Sequence, residues 1–402
     1  MSLSYITRFK NCLVLRDHSL IEEDLWVRDG KIMDAETLFF DEKVSSDTEF
    51  DCNGAIISPG YIDVQINGGY GVDFSLNEDI EAGMQRVSKG LLSCGVTSFC
   101  PTIVTSPRDT YHKILPRVQK TEASVNGAGI LGVHLEGPFI SKEKRGAHPE
   151  DLIQSYDNGI QDLINMYGML NNVSIITLAP ELPHSCEVIH ELMRRGIKVS
   201  LGHSMASLAE GEAAVQAGAS FITHLFNAML PFHHRDPHLV GLLADGTKNL
   251  FYGMIADGIH THPAALTIAY RVNPTGLVLV SDAIGALGLE PGIHTVGQHM
   301  VEVKDDKAVL AGTETLSGSI APLCHGVKTL LAATGCSKAE ALEAATLHPA
   351  QLLNITDRKG TLQPGTDADF VILDPDLDVV ATYTAGALAW KRKDAGDWLR
   401  EV

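Results

Sequence analysis

Val133-His134-Leu135-Glu136-Gly137-Pro138 is apolar and strand-like up to its glutamate, and Gly-Pro then ends it. The same pattern recurs through the middle of the chain, where apolar runs cover 61–66, 97–104, 129–135, 173–179, 198–201, 221–225, 251–255 and 277–280. Most of the gaps carry a helical period, as with Ile80, Gly83, Met84, Val87 and Leu91, or Val188, Ile189, Leu192 and Met193. Strands alternating with helices make a parallel sheet, and eight of them predict a closed (β/α)8 TIM barrel of α/β class. A residue able to do chemistry follows most runs: Gln65 and Asn67, Glu136, His203, His224, His260, Asp282. All strand C-termini of a barrel share one face, so residues scattered in sequence become neighbours there.

The two ends read differently. Leu25-Trp26-Val27 and Lys31-Ile32-Met33 flank Arg28-Asp29-Gly30, whose Asp-Gly step signals a hairpin turn. Near the other end, 369–373 and 379–383 also read as strands. A small β-sandwich domain built from 1–57 plus 366–402 is therefore expected, around a catalytic barrel over 58–365.

Lysine and arginine total 31 against 50 acidic residues, a net charge of −19, with no basic run. Such a surface repels phosphate backbones, so nucleic acid is not an expected partner. Seven scattered cysteines without a C-x-x-C pair suit reduced thiols in the cytoplasm. Residues 1–16 lack the apolar run of a signal peptide, and no stretch is long enough to span a membrane.

Taken singly, the polar residues have bland readings. Glu136 is a solvated or capping glutamate, His203 and His224 are hydrogen-bonded structural histidines, and Asp282 caps a helix. Taken together, one carboxylate and two imidazoles from three strand ends, with one position open, match the plan of a catalytic zinc site. Beside a metal, Asp282 is placed to accept a proton from water and pass it on.

These stretches carry a resemblance. The sequences 59–68 (PGYIDVQING), 134–138 (HLEGP), 202–204 (GHS), 223–229 (THLFNAM), 256–260 (ADGIH), 316–319 (LSGS) and 365–369 (GTDAD), in this order, are similar to the amidohydrolase superfamily. Within it the chain resembles the branch that deacetylates amino-sugar phosphates. Most superfamily members hold a second metal with His-x-His on the first strand, whereas this chain has Gln65-Ile66-Asn67. The resemblance thus implies one divalent metal per chain, zinc, held by Glu136, His203 and His224. It further implies Asp282 as general acid–base and His148 as the group that polarises the substrate carbonyl. Sugar-phosphate contacts would fall on Ala147, Asn227, Ala228, Arg235, Asp257, His260, Leu316, Ser317 and Gly318. Arg235 would reach the substrate phosphate of a neighbouring subunit, which implies a homodimer; paired with Asp236 it would be a plain surface ion pair. The activity implied is hydrolysis of the acetamide of N-acetylglucosamine 6-phosphate, in amino-sugar catabolism. The rivals are a dihydropyrimidinase, an N-acyl-amino-acid deacylase, or a barrel scaffold that has lost its chemistry.

Overall fold

The computed structural model describes residues 5–244, 246, 249–297 and 299–402. Strands Tyr61–Ile66, Val96–Val104, Val133–Glu136, Val173–Leu178, Lys198–Leu201, Phe221–Ile222, Phe251–Ile255 and Leu277–Val280 pair in that order, each parallel to the next. The ring closes at its C-terminal rim, where Asp282 N donates to Gln65 O at 2.9 Å and Asn67 N to Ala283 O at 2.8 Å. Every residue of Tyr61–Ile66 is buried, as a strand needs when helices cover one face and the lumen the other. The helix Ser185–Arg194 shows how the outer layer is held, burying Val188, Ile189 and Leu192 on one stripe.

Two strands depart from the predicted bounds by more than one residue at an end or by a break, for local reasons. The third breaks into Gly129–Ile130 and Val133–Glu136, with Gly132 between them at φ 119°. The sixth is only Phe221–Ile222, because His224 already stands in left-handed backbone at φ 27°.

Below the catalytic rim the lumen holds a line of polar side chains. His134 Nδ1–H donates to the carbonyl of Val64 at 2.9 Å, and its Nε2 lies 2.8 Å from Thr177 Oγ1. Thr177 meets Thr223 at 2.7 Å, and Thr223 meets Ser200 at 2.5 Å. Val64 O can only accept, so in the neutral ring Nε2 accepts and the hydroxyls donate in one direction, from Ser200 through Thr223 and Thr177 to His134. This chain ties together the strands that carry Glu136, His203 and His224.

An antiparallel sheet, Gly292–Val296, His299–Lys304, Lys307–Leu310 and Leu316–Gly318, is inserted between the last barrel strand and the helix Leu323–Thr334. The chain ends interleave in two further sheets. One runs in the order Arg400–Glu401, Thr48–Asp51, Ile6–Lys10, Leu25–Arg28, Lys31–Met33. The other runs Ala387–Lys391, Val379–Thr384, Phe370–Leu373, Ile56–Pro59, Leu13–Arg16, Ser19–Glu22. Phe9, Val14, Leu25, Ile57, Phe370 and Tyr383 fill the core of this sandwich. The expected Asp-Gly turn is present, with Asp29 at φ 51° and Gly30 at φ 76° between paired Arg28 and Lys31.

Charge joins these ends to the barrel. Lys359, 6% exposed, lies 2.5 Å from Asp369 and 3.2 Å from Asp367, while Arg358 binds Glu122 at 2.6 Å and Asp367 at 2.7 Å. All seven cysteines are free thiols, and no helix among the described residues is long and apolar enough to cross a membrane.

Candidate active site

Each candidate side chain sits where a strand gives way to a loop on the barrel's C-terminal rim. Glu136 is the last residue of its strand, and His203, His224 and Asp282 each follow a strand by two residues. The latter three adopt left-handed backbone, at φ 48°, 27° and 45°. Such conformations cost on the order of 1–3 kcal/mol each and gather at functional sites. Gly202 lets this happen next to His203, since a Cβ on it would lie 2.7 Å from Thr223 Cβ.

The three donor atoms of Glu136, His203 and His224 lie within 4.8 Å of one another, all buried. Glu136 Oε1 stands 2.9 Å from His203 Nε2 and 3.1 Å from His224 Nε2, and the two Nε2 atoms are 3.1 Å apart. Ligand atoms of a tetrahedral ion at about 2.0–2.1 Å stand about 3.3 Å apart, so the observed spacing fits one. The donor chemistry agrees. His203 Nδ1 faces the carbonyl of Lys144 at 2.9 Å, which requires a proton on Nδ1 and leaves the Nε2 lone pair aimed at the other two donors. Together the three donors suit a positive ion among them. Burial alone would raise the Glu136 carboxyl, but the contacts with His203 and His224 win and hold it well below the ordinary range. Burial would lower His224, yet Glu136 raises it, so the pocket favours positive charge.

Gln65 and Asn67 add what the sequence reading did not assign. Gln65 Nε2 donates both to Glu136 Oε2 at 3.1 Å and to Asp282 Oδ1 at 3.2 Å, and Asn67 Nδ2 donates to the same Oδ1 at 2.7 Å. Alternation along the first strand puts both on the luminal side, the signal that could have found them. Burial, then the charge of Glu136, push Asp282 up to about 6. Its carboxylate accepts no backbone N–H among the described residues, so the helix-cap reading has no support. His148 packs against His203 with ring centroids 4.5 Å apart; burial, then His203, push it down to about 3, so it is neutral near pH 7.

The remaining predicted residues, Arg235 excepted, come from the loops and inserted sheet beside this centre. Asn227 and Ala228 follow His224 by three and four residues, and Ala228 O accepts from Ser204 N at 3.1 Å. Asp257 binds His260 Nδ1 at 2.5 Å, which raises His260. Asp257, Leu316 and Gly318 line a cavity of about 380 Å³ with Ser319, which pairs with Ala283 beside Asp282. Ser317 lies between Leu316 and Gly318 on the inserted sheet, and Ala147 is exposed next to His148. Arg235 stands apart on an exposed loop, with no ion pair among the described residues. Asp236 instead accepts from Leu208 N and His238 N, so the surface-pair reading fails.

A parallel barrel whose rim gathers one carboxylate, two imidazoles and an adjacent acid defines a metal-dependent hydrolase. The model of the amidohydrolase family matches residues 56–391, and the chain belongs to that family. It is 59% identical over 396 residues to the N-acetylglucosamine-6-phosphate deacetylase of Bos taurus, covering 97% of both chains. To the human enzyme of the same name it is 59% identical over 392 residues, covering 96% of each. The crystal structure of N-acetylglucosamine-6-phosphate deacetylase from Thermotoga maritima superposes with a TM-score of 0.80 at 30% identity, covering 96% of this chain and 100% of that one.

Proposed function

We propose that this chain hydrolyses the acetamide of N-acetylglucosamine 6-phosphate, giving glucosamine 6-phosphate and acetate in amino-sugar catabolism. The observation that carries the reading is the buried Glu136, His203 and His224 cluster, with Gln65 bridging it to Asp282. The names of relatives with 59% identity along nearly the whole chain support the substrate.

The proposed metal is zinc, which imidazole nitrogen and carboxylate oxygen suit. One ion per chain is proposed, because Gln65 and Asn67 turn N–H donors toward the carboxylates, where a second ion would need ligand atoms. When bound by Glu136, His203 and His224, zinc lowers the pKa of a water and polarises the amide carbonyl. Asp282 takes the proton of the attacking water. Its Oδ1 already accepts from two amides, so Oδ2 receives the proton and later hands it to the departing sugar amine. His148, neutral, donates a hydrogen bond to the carbonyl oxygen as charge develops there. Ala147, Asn227, Ala228, Asp257, His260, Leu316, Ser317 and Gly318 are proposed to hold the sugar. Arg235 is proposed to bind the phosphate of a neighbouring subunit's substrate, in a homodimer; its having no ion pair among the described residues and the 61% exposed Phe232 nearby support this. Free thiols throughout support a cytoplasmic setting.

Acetate release from N-acetylglucosamine 6-phosphate and from N-acetylglucosamine, with zinc-loaded and chelator-treated protein, tests the reading. Activity should require the phosphate, vanish on chelation and return with zinc. Equal rates on both sugars would remove the phosphate from the proposal. No release from either by fully loaded protein would leave the scaffold reading.

A further inference from the structure

Beneath His148 lies Thr105, a residue that sequence motifs did not single out. It follows the second barrel strand directly and is 3% exposed. Its hydroxyl lies 2.6 Å from His148 Nδ1, and its backbone N–H points at the same nitrogen at 3.4 Å.

The direction of these bonds follows from valence. A backbone N–H can only donate, so Nδ1 is an acceptor. The hydroxyl has no other acceptor among the described residues, so its proton also goes to Nδ1. In a neutral imidazole whose Nδ1 accepts, the proton is on Nε2. The opposite tautomer would set an Nδ1–H against the backbone N–H.

The surroundings are built around this pair. Gly137, next to Glu136 and at φ 77°, leaves the room: a Cβ there would lie 2.2 Å from Thr105 Oγ1 and 3.3 Å from His148 Nδ1. Two buried tyrosines fix the loops on either side. Tyr167 donates to Gly137 O at 2.8 Å, and Tyr111 accepts from Ser106 N at 3.0 Å. Their rings meet edge to face at 5.0 Å.

We propose that Thr105 is a positioning residue that fixes the tautomer of His148, holding Nδ1 as acceptor so that Nε2–H meets the substrate carbonyl. This rests on the reading of His148 as the carbonyl-polarising group. Thr105 touches no reacting atom; without its hydroxyl the ring would spend time in the tautomer that presents a lone pair to the carbonyl oxygen.

The test compares the zinc-loaded parent with Thr105→Val, Thr105→Ser and His148→Ala on N-acetylglucosamine 6-phosphate. Valine keeps the shape and removes the hydroxyl. We expect kcat to fall about 10- to 100-fold with KM within about threefold, and serine to restore kcat to within about threefold. ¹⁵N NMR of the His148 ring, assigned against His148→Ala, should show a protonated Nε2 and a bare Nδ1 in the parent. A near-parental kcat for His148→Ala would overturn the reading of His148 itself. A crippled His148→Ala beside an unimpaired Thr105→Val would overturn the positioning role alone. A protonated Nδ1 in the parent would overturn it too, whether or not any variant folds.

Discussion

Asp282 stands at φ 45°, a conformation that asparagine shares with aspartate more readily than other L-residues do. Asp282→Asn therefore alters the chemistry with little cost to the backbone, and its amide oxygen can keep the bonds from Gln65 and Asn67. It cannot take a proton near pH 7. We expect kcat to fall at least about 10³-fold, with zinc retained and KM within about tenfold of the parent. A zinc-loaded variant with near-normal turnover would take Asp282 out of the mechanism. For Arg235, loss of a charge-assisted bond to phosphate predicts a KM for the 6-phosphate higher by about 10- to 100-fold in Arg235→Ala, with little change on the plain sugar. Equal losses on both sugars would assign the residue to the loop's structure. Glu136, His203, His224 and Asp282 were legible because each follows an apolar run that stops. Thr105 was not, because its role lies in bonds made across strands, which no single stretch of sequence displays; Gln65 stood out as a polar residue after the first run, but its bonds to Glu136 and Asp282 did not.

On the first strand, Asp63 is buried in the lumen, with Oδ1 accepting from Gln65 N and Ser281 N and Oδ2 unpartnered among the described residues. Burial pushes its carboxyl up to about 7, against about 3.9 for the unfolded chain. A folded-state value above the unfolded one favours folding where the acid is protonated. That stability is complete below about pH 4 and is lost as pH rises to about 7, at about 1.4 kcal/mol per pKa unit. Asp63→Asn mimics the neutral acid, so its thermal midpoint relative to the parent should be higher at about pH 8 than at about pH 5. The same offset at both would mean that Asp63 ionises freely. The strand itself was readable from its apolar run, but the inserted sheet was not. Its central hairpin pairs Lys304 with Lys307 through Asp305 and Asp306, at φ 50° and 57°. That turn lacks the glycine that usually announces such a hairpin. Strands of alternating polarity there leave only a small core of Ala286, Val296, Val301, Val303 and Ala308.

Across the whole molecule, the buried ions around Lys359 hold the barrel and the terminal sheets in one arrangement. Lys359→Met would leave Asp369, itself 7% exposed, without its cation. The expected loss is about 3–5 kcal/mol in urea unfolding, partly recovered when Asp369→Asn is added. Turnover per folded molecule should stay near the parent's, since the cluster lies outside the catalytic rim. A loss under about 1 kcal/mol would show that the cluster behaves as an exposed pair. Both terminal sheets were expected from their turn-rich ends. Their strand order was not, because pairing between the two ends of a chain leaves no local mark.

That order has a consequence during synthesis. Ile56–Pro59 lies between Leu13–Arg16 and Phe370–Leu373, so its second neighbour leaves the ribosome long after it does. At about 5–20 residues per second, the edge of Ile56–Pro59 waits on the order of 15–60 s for its partner. Over that interval the newborn chain carries an open, apolar strand edge, the kind that templates pairing between molecules. The enzyme is therefore most vulnerable during synthesis, until Phe370–Leu373 emerges and closes the edge that Ile56–Pro59 left open.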